Sequence, residues 1–81
     1  MFYAHEVPVS GTTHCYLGFG TASWDGSTPV VKLGWRDKNG NRSRPGGEIW
    51  MEALEQMITD GIKLGYLDPK RALQAVARGM T

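Results

Sequence analysis

The chain reads as an α+β fold: an antiparallel meander of three to four strands, packed by one amphipathic helix, plus a short C-terminal helix. Three observations predict it. Residues 1–44 alternate apolar and polar side chains between turn signals, the period of a half-buried strand. Residues 48–64 carry apolar side chains at helical spacing. The whole is 81 residues, enough for one domain around one small core.

The first strand is Phe2 to Val7, ended by Pro8, which has no N–H for a ladder. Ser10-Gly11-Thr12-Thr13 makes a turn. The next strand runs from His14 to Trp24, with Cys15, Leu17 and Phe19 on one face and His14, Tyr16 and, by alternation, Trp24 on the other. Gly18 and Gly20 interrupt that second face, as glycines do where a strand bends or a backbone approaches. Asp25-Gly26-Ser27 turns the chain into a third strand, Pro29 to Asp37, in which Val31, Leu33 and Trp35 alternate with Lys32, Gly34 and Arg36. Lys38-Asn39-Gly40-Asn41 is the strongest hairpin signal, and residues 41–44 form a short basic edge strand whose charge discourages aggregation.

Pro45-Gly46-Gly47 breaks the sheet pattern. A helix follows over 48–64, with Ile49, Ala53, Leu54, Met57 and Ile58 as its stripe and Glu48, Glu52 and Glu55 near its N-terminus, where the dipole favours negative charge. Gly65 stands just past its end. Asp68-Pro69 opens a short helix over 69–78, with Asp68 as cap. Packing the helix on the Leu17–Phe19–Val31–Leu33–Trp35 face buries both apolar surfaces in one 1–81 domain. Trp35 and Trp50 are expected in the core.

Net charge is +1, but it is segregated: residues 32–46 carry a net +4 and residues 47–66 a net −3. The basic stretch fits a polyanion, pairing with the acidic helix, or plain solvation. The single cysteine, Cys15, excludes an internal disulfide and suits the reducing cytoplasm. No apolar run is long enough for a membrane span, and no signal peptide is visible.

Little catalytic chemistry is encoded. Gly18-Phe19-Gly20-Thr21-Ala22-Ser23 has the glycines of a phosphate loop, but a turn and a strand follow it where a helix N-terminus is needed. His5, His14 and Cys15 are the only strong soft-metal ligands, and His14 and Cys15 are adjacent in a strand, so they point to opposite faces and do not readily share an ion. The expectation is no enzyme, no cofactor and no metal. What stands out is the combination of aromatics and cations on the sheet: Tyr16, Trp24, Lys32, Arg36, Lys38, Arg42 and Arg44 are the expected partner-binding residues. Such a set suits another protein or, as the alternative, single-stranded or duplex nucleic acid.

The hairpin Trp35-Arg36-Asp37-Lys38-Asn39-Gly40-Asn41-Arg42, followed by a helix, resembles the three-stranded DNA-binding domains of phage integrase arms and plant AP2 proteins. That likeness implies a nucleic-acid-binding regulator using the basic 32–44 hairpin. In size, meander-plus-helix plan and lack of catalytic equipment, the chain as a whole is similar to the accessory proteins of phages and mobile elements, anti-CRISPR proteins among them. That second resemblance implies a stoichiometric inhibitor that occupies a site on a host machine such as a CRISPR–Cas complex.

Overall fold

A computed structural model describes residues 2–44 and 46–81. The fold is α+β: a five-stranded antiparallel sheet and two helices. The strands are β1 (Phe2–Pro8), β2 (Cys15–Thr21), β3 (Pro29–Arg36), β4 (Arg42–Arg44) and β5 (Ile49–Trp50), followed by α1 (Met51–Lys63) and α2 (Pro69–Gly79). The order is β1-β2-β3-β4, with β5 also on β3. The chain divides into two compact units, 1–51 and 52–81. Among the described residues no helix is long and apolar enough to cross a membrane.

The turns are where the local chemistry placed them. In the β3–β4 hairpin, Asp37 accepts from the Asn39 and Asn41 amides at 2.9 Å each, and Gly40 takes φ +83°, a region open to glycine. Between β2 and β3, Asp25 accepts from the amides of Ser27 and Thr28, again at 2.9 Å, and Gly26 has φ +70°. This turn starts earlier than expected. The Ala22 amide bonds Thr28 O (2.9 Å) and the Gly26 amide bonds Ala22 O (2.9 Å), so β2 ends at Thr21 and Trp24 sits in the turn instead of on a strand face.

The start of the helix also differs. Ile49 and Trp50 form β5, paired with Val31 and Val30 of β3, and the helix opens only at Met51. β4 and β5 therefore run along the same side of β3. Ile and Trp are good strand formers, and an available edge on β3 outweighs the helical period of the sequence there. Between them, Gly46 lies so close to the Leu33 carbonyl oxygen that a Cβ would overlap it. Pro45 lies outside the described residues.

Burial departs from a one-sided sheet. Cys15 and Val31 are buried as expected, and Leu17 and Phe19 are half-buried, but Leu33 and Trp35 are each 42% exposed. On the opposite face Val30 and Tyr16 are buried, Tyr16 to 5%. The reason is steric. Tyr16 pairs with Gly34 across β2 and β3, and Gly18 lies next along that face, so no side chain holds the tyrosine ring off the sheet. A Cβ on Gly34 would stand 2.5 Å from Tyr16 Oη and 2.7 Å from Cε1.

In the 52–81 unit, Gly65 (φ +85°) closes α1: the amides of Tyr66 and Leu67 return to Gly61 O at 2.9 and 3.0 Å. Asp68 caps α2, accepting from the Lys70 amide at 3.0 Å, with Pro69 in the first turn.

Candidate functional site

The expected binding residues fall into separate groups. Tyr16, Arg36 and Arg42 come together on one sheet face. Arg36 lies over the Tyr16 ring, its guanidinium carbon 4.8 Å from the centroid, a cation–π geometry. It also donates to Gly40 O at 3.0 Å and forms an ion pair with Glu6 of β1. Arg42, opposite Arg36 in the ladder, reaches the other Glu6 oxygen at 3.7 Å. Glu6 thus holds both arginines, and the local charge of the hairpin is partly cancelled. Beside this cluster is a shallow cavity of about 240 Å³ reached by His14, Cys15, Tyr16 and Arg36.

Tyr16 is therefore not an exposed contact. It is a buried plank on which Arg36 rests. Lys38 is exposed at the hairpin tip and Lys32 is half-buried. The Arg44 side chain lies outside the described residues. Among the described side chains, Arg36 and Arg42 gather at Tyr16 and Glu6, while Trp24 belongs to the β2–β3 turn.

Trp24 has a different neighbour. Its ring meets that of Trp50 edge to face, with centroids 6.4 Å apart and planes at 88°. Both are open to solvent, Trp24 57% and Trp50 47% exposed, so Trp50 is not the core residue its helical position suggested. The turn carrying Trp24 is tied to the segment leading into β5: Glu48 accepts from the Ser23 hydroxyl at 2.8 Å and from the Ser23 amide at 3.2 Å. These bonds hold the Glu48 carboxyl below its ordinary range, the Ser23 hydroxyl foremost. The Thr28 hydroxyl, then its amide, likewise lowers Asp25 in the same turn.

Glu6, Ser23, Glu48 and Trp50 were not among the expected partner-binding residues. Glu6 is recognisable only once β1 is set beside β2, and β2 beside β3. Trp50 is hidden because a two-residue strand leaves no periodicity, while the adjoining helix leaves a strong one. Among the described residues, no three His, Cys, Asp or Glu side chains are placed to hold a metal ion. Comparison with protein families, with curated proteins and with solved structures finds no match for the chain.

Proposed function

We propose that this chain is a non-enzymatic binding protein whose partner is another protein, gripped through the Trp24–Trp50 pair. The observation that carries this reading is two exposed tryptophans packed edge to face, Trp50 on β5 and Trp24 on a turn that the Glu48–Ser23 bonds tie to the segment before β5. Tryptophan is over-represented among the few residues that dominate interface energy, and a pre-ordered pair loses less entropy on docking. Nucleic acid is disfavoured as the partner because Glu6 already engages Arg36 and Arg42. The resemblance to phage accessory proteins extends the reading to a cytoplasmic inhibitor that acts by occupying a site on a larger machine.

The test is affinity capture from the native cells, with quantitative mass spectrometry, comparing the natural chain with Trp24→Ala, Trp50→Ala and Lys38→Ala. One protein should be retained by the natural chain and by Lys38→Ala. Either tryptophan variant should lose it by roughly thirtyfold, the equivalent of a 2 kcal/mol hot spot, with the circular dichroism spectrum intact. Equal retention by folded tryptophan variants refutes the reading. So does tight, salt-sensitive binding of random duplex or single-stranded DNA by fluorescence anisotropy, which restores the nucleic-acid alternative.

A further inference from the structure

Trp24 and Trp50 stand at 88° with ring centroids 6.4 Å apart, and more than half of one and nearly half of the other is open to solvent. Two perpendicular indoles bound a recess with an aromatic face on each wall. A group in van der Waals contact with both walls lies within about 5 Å of each centroid, inside the roughly 6 Å over which a ring face attracts a cation. The attraction comes from the negative face of the ring quadrupole, and tryptophan provides the strongest of them.

The charge around this recess has one sign. The two segments that build it, residues 22–28 and 46–50, contain Asp25 and Glu48 and no lysine, arginine or histidine. Asp25 follows Trp24 and is exposed in the turn. Glu48 comes two residues before Trp50, and its carboxylate accepts from the hydroxyl of Ser23, the residue before Trp24, so it stands between the two segments. Hydrogen bonds from Thr28 to Asp25, and from Ser23 to Glu48, hold both carboxyls below their ordinary range and keep them charged at neutral pH. Aromatic faces and carboxylates together favour a cation and repel an anion. The chain uses the same combination within itself: Arg36 lies 4.8 Å from the centre of the Tyr16 ring and pairs with Glu6. Of the two common cations, guanidinium is the better fit, being planar, weakly hydrated and able to stack on a ring face.

Resting on the reading of this surface as protein-binding, the geometry points to an arginine side chain of the partner as the group it receives: the guanidinium seats between Trp24 and Trp50, with Asp25 and Glu48 beside it. The fold holds the two walls in place before the partner arrives, because Trp50 is paired to β3 and Trp24 is tied to the segment before Trp50 through Ser23 and Glu48. Pre-ordering of this kind lowers the entropy lost on binding.

Titration of the full chain with hexa-arginine, and separately with hexa-citrulline, its uncharged isostere, tests this at constant ionic strength. Two-dimensional NMR follows the indole N–H signals, with Trp35 as the internal reference. The Trp24 and Trp50 signals should shift saturably with hexa-arginine, and hexa-citrulline should bind weaker by about fivefold or more. Asp25→Asn combined with Glu48→Gln, which keeps the side-chain shapes and removes the charges, should weaken hexa-arginine by about fivefold as well. Equal binding of hexa-citrulline overturns the proposal, as do hexa-arginine shifts that leave both indoles unmoved, or indifference to the loss of both carboxylates. If the double variant disturbs the turn, seen as a spectrum already changed without peptide, the comparison of the two peptides on the natural chain decides alone. A captured protein that needs both tryptophans but is not displaced by hexa-arginine leaves the surface protein-binding and removes arginine as its ligand. Indoles that answer to hexa-arginine while no captured protein depends on them instead remove the protein-binding reading.

Discussion

Gly34→Ala isolates the packing that distinguishes this sheet. Gly34 has an ordinary strand backbone with no positive φ, so alanine there relieves the conformational entropy of glycine and on that account alone stabilises by about 0.5–1 kcal/mol. Against this, the new Cβ stands 2.5 Å from Tyr16 Oη and 2.7 Å from Cε1, inside van der Waals contact. The ring must leave its place. Tyr16 is 5% exposed, and a tyrosine buries on the order of 150–250 Å², worth about 4–6 kcal/mol at 25 cal/mol/Å² if it were wholly lost. Partial displacement brings the cost into the usual range for overpacking, about 1–3 kcal/mol, with up to about 1 kcal/mol more if Arg36 loses its seat on the ring. The steric term wins. The net expectation is a loss of about 1–3 kcal/mol, or a melting temperature lower by roughly 5–20 °C for a chain this size. Thermal unfolding by circular dichroism measures it, and a double-mutant cycle isolates the cause. In a Tyr16→Ala background, Gly34→Ala should be neutral or stabilising. A Gly34→Ala variant that melts higher than the natural chain, as an unencumbered strand glycine would, refutes the account.

Other expectations follow from the same geometry. Gly46→Ala directs its Cβ at the Leu33 carbonyl oxygen, which cannot swing aside as a side chain can, so it should destabilise more than Gly47→Ala, where the Cβ meets open space; paired urea melts decide. Val30→Ala, at 1% exposure, should cost about 2–3 kcal/mol, two methyls plus the cavity they leave, and an effect below 0.5 kcal/mol in the same melts contradicts its place in the core. Glu48 has a folded pKa below its unfolded value, so its stabilisation is present above about pH 4.3 and is lost as pH falls through the folded pKa. Tryptophan fluorescence, reporting the Trp24–Trp50 pair, should therefore show an acid transition below about pH 4 that Glu48→Gln removes; the same transition in both chains rules out Glu48 as its source.

Much of this molecule was legible as a line of residues. Asp37 with Asn39-Gly40, and Asp25-Gly26, specify turns because carboxylates accept amide hydrogens two and three residues on and glycine accepts positive φ. Gly65 and Asp68-Pro69 likewise mark a helix end and a helix start through contacts made within a few residues. Alternation set β2 and β3, and the resulting register aligns Cys15 with Trp35 and Leu17 with Leu33. These are short-range effects, decided by neighbours in the chain. What only the tertiary structure decided depends on residues far apart in sequence. Ile49 and Trp50 became a strand because β3 had an edge to offer. Tyr16 was buried because Gly34 faces it. Glu6 took both hairpin arginines across thirty and more residues, and Trp24 met Trp50 because Ser23 and Glu48 fastened a turn to a strand. A periodicity reports which side of an element is apolar; it carries no information on what stands opposite, and that opposition turned a presumed contact residue into core and a presumed core tryptophan into surface.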